Sequence, residues 1–290
     1  MKTFLVAGGD MRSVSLARTL SENDMVSAIG FDGKIFDNSD IISINKASEL
    51  PEKADCLVLP LPVSADGVTL NCPLCSCCPT IRELSAGIKP GGIVFGGKIS
   101  PEIHRYFEEQ GFAVCDYLDR EELAVLNAVP TAEGAVQIAI SQTDETIYGQ
   151  QILITGMGRI AKVLIKILTA MGAKVTAAAR KYSDLAWAEI YGCTPLNISE
   201  IDGELYKFGI IFNTVPSLIF DEERLLSLKS DCLLIDLASK PGGVDFRAAE
   251  HSCIKTIHAL SLPGKTAPVT AGRIIASAIY NILEERSEHS

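Results

Sequence analysis

Short unbroken apolar runs alternate along this chain with segments whose apolar residues recur at helical spacing, the pattern of parallel sheets joined by right-handed crossovers. In the first half it predicts strands at Thr3–Ala7, Met25–Ile29, Cys56–Leu59, Gly92–Phe95 and Phe112–Cys115, with helices at Arg12–Ser21, Thr80–Ala86 and Pro101–Gln110. From Asp119 the spacing turns helical: Asp119 and Glu122 have the form of a capping box ahead of Leu123, Val125 and Leu126. Pro130 interrupts this segment, and Thr131 can cap a second one carrying Ala135, Val136, Ala139 and Ile140, so a kinked bridge is predicted over Asp119–Gln142. After the polar stretch Thr143–Gln150 a second series begins. Its predicted strands are Gln151–Thr155, Ala173–Ala178, Gly209–Asn213, Cys232–Leu237 and Lys255–His258, with helices near Ile160–Met171, Ser183–Tyr191, Asp221–Leu228 and Asp245–His251. A last helix, about Ala271–Glu284, repeats Ile274, Ile275, Ala278, Ile279, Ile282 and Leu283, and is expected to return to the first domain.

The fold class read from this pattern is α/β, two doubly wound Rossmann-like parallel-sheet domains joined by a kinked helix. The expected division is a substrate or partner domain over 1–120, linking helices over 121–145, a dinucleotide domain over 146–268 and a C-terminal helix over 269–290. A length of 290 residues is enough for two such cores, and 47% hydrophobic with 21% charged residues is a packed globular composition. Disorder is expected only over Glu285–Ser290.

The formal net charge of −10, without a basic stripe, argues against a nucleic-acid partner. Apolar runs such as Cys56–Leu61 fall short of the roughly 20 residues that span a bilayer. Only a brief apolar stretch separates Lys2 from Gly8-Gly9-Asp10, too little for a signal peptide, so no membrane and a cytoplasmic location are expected. Nine cysteines, an odd number without an export signal, read as reduced thiols, with Cys56, Cys115, Cys193, Cys232 and Cys253 as small core residues. Cys72-Pro73-Leu74-Cys75-Ser76-Cys77-Cys78 leaves two readings open: a zinc or iron–sulfur site, or a loop that happens to be rich in thiols. No second CxxC accompanies it, and no metal is expected.

The strongest chemical signal is Gly156-Met157-Gly158-Arg159-Ile160-Ala161, which follows a predicted strand and opens a predicted helix. Gly156 permits the tight turn, Gly158 lets backbone approach a pyrophosphate, and Ala161 keeps helix and strand close; amides and the helix dipole then hold the phosphates. The tip of the next strand decides which dinucleotide binds, because an acid there would accept from the ribose 2′-hydroxyl and repel a 2′-phosphate. Here it reads Ala179-Arg180-Lys181-Tyr182-Ser183, so Arg180, Lys181 and Ser183 favour NADP over NAD. The other reading makes Arg180 a solvated helix-entry residue. Gly8-Gly9-Asp10-x-Arg12 repeats the device, but Asp10 would oppose a phosphate; substrate or partner contact and plain turn chemistry both stay open.

Ligands of open parallel sheets lie beyond the carboxyl ends of the strands. Three segments there are expected on the nicotinamide side: Asn213-Thr214-Val215-Pro216, Asp236-Leu237-Ala238-Ser239-Lys240-Pro241-Gly242-Gly243, and Leu262-Pro263-Gly264-Lys265-Thr266-Ala267-Pro268. Ser239 and Lys240 either bind a carboxylate and shuttle a proton or merely sit in a turn shaped by its glycines and prolines. Of the four histidines, His104 and His251 fall on predicted helices and His289 in the tail; only His258 ends a strand. A histidine general acid of the hydroxy-acid dehydrogenase type is therefore poorly supported.

These segments, together with Pro130-Thr131-Ala132-Glu133-Gly134 and Val269-Thr270-Ala271-Gly272, resemble the family of dipicolinate synthase A subunits over nearly the whole chain. The resemblance implies NADP-dependent oxidation of dihydrodipicolinate to pyridine-2,6-dicarboxylate in the mother-cell cytoplasm during sporulation, with the flavoprotein-like B subunit of dipicolinate synthase as partner. The cysteine-rich loop departs from the family pattern. A substrate with two carboxylates calls for cationic and hydroxyl partners, here Arg12, Lys98, Thr131, Ser239 and Lys240; Lys240, Ser239 and Thr131 are taken as the catalytic candidates, and Arg12, Asp10, Lys98 and Glu133 as the substrate-binding ones. The cofactor-binding candidates are Gly156, Met157, Gly158, Arg159, Ile160, Arg180, Lys181, Ser183, Asn213, Thr214, Val215 and Pro216. Two other readings remain, a stand-alone NAD(P)-dependent amino- or hydroxy-acid dehydrogenase and a non-catalytic NADP-sensing scaffold, and homo-oligomerisation is left open.

Overall fold

The computed structural model describes residues 1–288. In chain order the elements are β1 (Thr3–Ala7), α1 (Met11–Ser21), β2 (Met25–Ile29), β3 (Ile42–Ile44), β4 (Ala54–Val58), α2 (Ile81–Leu84), β5 (Ile88–Gly96), α3 (Pro101–Glu109), β6 (Ala113–Asp116) and α4 (Glu121–Gln142). They continue with β7 (Gln151–Thr155), α5 (Arg159–Ala170), β8 (Lys174–Ala179), α6 (Tyr182–Ile190), β9 (Thr194–Asn197), β10 (Ile210–Asn213), α7 (Glu222–Leu226), β11 (Leu233–Asp236), α8 (Phe246–His251), β12 (Lys255–His258), α9 (Leu262–Thr266) and α10 (Pro268–Glu288). The chain divides into two compact units, one formed by Met1–Asn127 with the segment from Ala267 onward, the other by Ala128–Thr266.

The first unit holds a parallel sheet of order β3-β2-β1-β4-β5-β6. Alternate residues of β1 serve opposite faces, as the period of a strand requires. Phe4 and Val6 join α1 (Val14, Leu16, Leu20) and α10 (Ile274, Ile275, Ile279) in one core; Leu5 and Ala7 join Leu84, Ile103 and Phe107 in the other. Helix α10 comes close to α1 at Gly272, where a Cβ would lie 2.5 Å from the Arg12 carbonyl oxygen, and Ser15 Oγ donates to the Val269 carbonyl at 2.9 Å. Only glycine fits this crossing.

The second unit repeats the plan, with parallel order β12-β11-β10-β7-β8-β9. The first sheet as written, and the second read from its other edge, have the 3-2-1-4-5-6 order of dinucleotide-binding folds, in which the direction of winding reverses beside the first strand. Ile152 and Ile154 of β7 pack with Ala161, Leu164 and Leu168 of α5, while Leu153 faces Leu205, Phe208 and Leu225. The two reversal points therefore lie beside β1 and β7, whose last residues run into Gly8-Gly9 and Gly156.

Several details differ from the sequence expectation. The outermost strands β3 and β9 are short and largely exposed, and β9 contains Pro195, so neither carries the apolar run that marks a buried strand. Pro130 does not break the helix, and Thr131 starts no second segment: α4 is one 22-residue helix. A proline inside a helix removes a single N–H donor, and Leu123 in one core with Ala132, Ala135, Val136 and Ala139 in the other hold the helix on both sides of it. Asp119 does not cap α4 but ends a short 3-10 turn over Tyr117–Asp119, which Asp116 caps. By length and composition α4 is long and apolar enough to cross a membrane (mean hydropathy 1.4), a property that no unbroken apolar run reveals and that a helix packed into protein cores shares. The segment from Leu262 to Thr266, expected as loop, is α9. Cys253 is exposed at a left-handed turn (φ 55) after α8, not a core residue. Order extends through Glu288, and Glu285 accepts from Arg120 Nη1 at 2.7 Å and Nη2 at 2.6 Å. His289 and Ser290 lie outside the described residues.

Candidate functional site

The turn after β7 is built for close approach. Gly156 has φ +94, and a Cβ there would lie 2.5 Å from Thr214 Oγ1 and 3.0 Å from Val215 Cγ2. Thr214 is fixed against β7 through its amide and its hydroxyl, which donate to the Thr155 carbonyl at 3.1 and 2.7 Å. Gly158 is different. It is the N-cap of α5 with φ −77 and ψ −169, a conformation open to any residue. No heavy atom lies within 4 Å of a Cβ built on it, and no side chain caps the helix. The first turn of α5 thus presents its amides, with the positive end of the helix dipole, to open space, and the residues present fit a dinucleotide pyrophosphate.

The equivalent turn of the first unit is filled from within. Asp10 caps α1, accepting from the Arg12 amide at 2.9 Å, and its carboxylate also takes Arg12 Nε (2.9 Å to Oδ1) and Nη2 (2.9 Å to Oδ2). Arg12 Nη2 donates to the Leu61 carbonyl as well, at 2.8 Å. An internal anion occupies the position that a phosphate would take at α5. Of the candidates, Asp10 and Arg12 are brought together here, with Arg12 Nη1 donating to none of the described residues; beside them Tyr117 donates to the Leu59 carbonyl at 3.3 Å, and burial pushes its phenol up from its ordinary value. Lys98 is exposed in the same unit at a left-handed turn (φ 58) beyond β5.

Strand β8 ends at Ala179. Arg180 is exposed, Lys181 is the N-cap of α6, and Ser183 sits in its first turn, with no acid between Ala179 and Ser183. Lys162 of α5 lies over the Trp187 ring of α6 at 5.6 Å. Within the turn Met157 is buried, Ile160 is half-buried, and Arg159 is exposed, so each can contribute its backbone.

At the carboxyl end of this sheet the last residues of four strands are in register: Thr155 with Asn213, Asn213 with Asp236, and Asp236 with His258. Thr155, Asn213 and Asp236 are fully buried. Asn213 Oδ1 accepts from Thr155 Oγ1 (2.6 Å) and the Val215 amide (3.2 Å); its Nδ2 donates to the Val215 carbonyl (3.0 Å) and Asp236 Oδ1 (2.8 Å). With its side chain spent internally, Asn213 reaches a dinucleotide only through Thr214 and Val215; Pro216 beyond them is exposed. Asp236 accepts two further bonds, from the Ala238 amide at 3.1 Å and the Gly243 amide at 2.8 Å. His258 Nε2 lies 3.1 Å from the Ala238 carbonyl oxygen, and its ring stacks on Phe246 at 5.0 Å. Ser239 and Lys240 follow at once, both exposed. The sequence pattern assigned Asp236 no role of its own; the signal for it was four apolar strands each ending on a polar residue.

Thr131 is half-buried and Glu133 exposed on α4. Next to them Gly134 admits α9: a Cβ there would lie 2.9 Å from Thr266 Cγ2, and Thr266 Oγ1 donates to the Pro130 carbonyl at 3.3 Å. Among the described residues no group of three His, Cys, Asp or Glu is placed to hold a metal ion. In the cysteine-rich loop Cys72 is buried, with its thiol pushed up to about 12 by desolvation, while Cys77 is exposed.

Sheet order, glycine turn and uncapped α5 define a nicotinamide-dinucleotide-binding protein of the dehydrogenase type. Residues 130–241 match the D-isomer specific 2-hydroxyacid dehydrogenase NAD-binding domain, and residues 3–118 the N-terminal domain of the dipicolinate synthase A subunit. Over 97% of its length the chain is 30% identical to the dipicolinate synthase A subunit of Bacillus subtilis (strain 168), covering 95% of that protein. Among solved structures it is similar to the dipicolinate synthase A subunit from Bacillus halodurans (TM-score 0.88, 30% identity, 97% of each chain). It is equally similar to the Bacillus subtilis protein (TM-score 0.88, 29% identity, 100% of this chain and 98% of that one). The chain belongs to the family of dipicolinate synthase A subunits.

Proposed function

We propose that the chain oxidises dihydrodipicolinate to dipicolinate with NADP⁺, working with a flavoprotein-like second subunit in the cytoplasm of the mother cell during sporulation. The observation that carries the NADP half is the pairing of an uncapped helix start at Gly158 with Arg180, Lys181 and Ser183, and no acid, at the tip of β8. The family supports the substrate. The bound coenzyme supplies the hydride acceptor, and ring oxidation releases one proton beside the hydride. Lys240, Ser239 and Thr131 orient the ring and take that proton. The first unit offers Arg12 and Lys98 to carboxylates, with Asp10 holding the Arg12 guanidinium in place, and Glu133 on α4 is a further substrate-binding candidate. A hydroxy-acid dehydrogenase reading needs a free histidine acid, whereas His258 is held by the Ala238 carbonyl and stacked on Phe246.

The test is formation of reduced coenzyme from dihydrodipicolinate by the purified chain, with and without the second subunit, comparing NADP⁺ with NAD⁺. Turnover that favours NADP⁺ is expected. Uptake of neither coenzyme overturns the proposal.

A further inference from the structure

The buried polar row at the carboxyl end of the second sheet does more than close strand ends. Asp236 is a fully buried carboxylate facing three N–H donors: Asn213 Nδ2 and the amides of Ala238 and Gly243. Three donors on one carboxylate make a directed cradle, since an ionised carboxylate only accepts. The Ala238 peptide is held from both sides, its N–H by Asp236 and its C=O by His258 Nε2, directly before Ser239 and Lys240. The Gly243 amide fixes the far end of the same loop, and only glycine fits there: a Cβ at 243 would lie 2.3 Å from Asn213 Nδ2, and one at Gly242 (φ +92) 2.6 Å from Asp236 Oδ2. Through Asn213 the cradle also reaches Val215, which lies against Gly156.

We infer that Asp236 is a positioning residue: it clamps the 236–243 loop at both ends, so that Ser239 and Lys240 are presented in one fixed arrangement and that arrangement is tied to the dinucleotide turn. The role of Ser239 and Lys240 in turnover rests on the function proposed above; the clamp itself does not. Side chains that act on a substrate need support of this kind, because a displacement of about 1 Å at the reacting groups is enough to cost a factor of about 100 in rate.

The test is Asp236→Asn, which keeps the shape but sets an N–H₂ against one of three donors. Amide exchange of Ala238 and Gly243 in the ligand-free protein is expected to accelerate at least about tenfold, while the amides of β7 keep their protection. In turnover, kcat is expected to fall about tenfold or more, with the Kd for NADPH changed by less than about threefold. Unchanged exchange at Ala238 and Gly243 overturns the inference, as does a uniform rise in exchange across the whole sheet, the mark of plain destabilisation. If the wild-type chain takes up no coenzyme, the proposed function fails, and the exchange measurement still decides the clamp.

Discussion

Gly158→Ala separates the phosphate-binding role of the turn from its structural role. The backbone there has φ −77 and ψ −169, and a Cβ meets no heavy atom within 4 Å, so the folded chain accepts alanine without strain. Two small effects then oppose each other: alanine stiffens the unfolded chain, worth about 0.4–1 kcal/mol, and is a poorer N-cap than glycine by about the same amount. Net stability should stay within about 1 kcal/mol, a Tm shift of at most about 4 °C for a unit of this size. The new methyl group would stand where the pyrophosphate approaches the α5 amides. Displacing a phosphate from one charge-assisted hydrogen bond costs about 1.5–3 kcal/mol, which is roughly a ten- to hundredfold rise in Kd. Calorimetric titration with NADPH alongside thermal unfolding reads both quantities. Gly156→Ala is the contrast: φ +94 and a 2.5 Å approach to Thr214 Oγ1 predict a clear loss of Tm. A Gly158→Ala protein that binds NADPH as the wild type does would refute the argument.

Arg180→Ala should weaken NADPH by roughly tenfold or more through loss of a bidentate phosphate contact and leave NADH within about twofold; equal losses for both coenzymes would remove Arg180 from the 2′-phosphate site. Burial alone would raise the Asp55 carboxyl, but bonds from the Thr3 amide and hydroxyl and from Lys89 outweigh it and hold it at about 2. A depressed carboxyl stabilises the fold above its unfolded value and loses that contribution as pH falls through the folded one. Urea unfolding should therefore show Asp55→Asn less stable than wild type at neutral pH, with the gap closing towards about pH 2; a gap that does not depend on pH contradicts this. Native alkylation should mark the exposed Cys77 and Cys253 first and spare Cys232, whose buried thiol is pushed up to about 12 by desolvation; mass spectrometry showing early labelling of Cys232 would contradict its burial.

Much of the architecture was legible because it rests on short-range pattern. Apolar runs place the inner strands β1, β2 and β7 to the residue, since a strand covered on both faces has no polar alternative. The edge strands β3 and β9 were invisible, because a short, largely exposed edge carries no such run, whereas the edge strands β6 and β12 were placed to within one residue.

For the site, residue identity alone gave the glycine turn, the helix it opens and the basic tip of β8, since each depends on residues adjacent in the chain. Proline at 130 was misread for the complementary reason: its local penalty is overridden by cores that α4 joins on either side, and those are non-local. Only the tertiary structure decided that Asp10 fills the first unit's own anion site, that Asn213 faces inward, and that Thr155, Asn213, Asp236 and His258 form one row. These residues are 22 to 58 positions apart between neighbours. Strand order and register bring them together, and a hydrogen bond depends on position in space, which spacing along the chain does not specify.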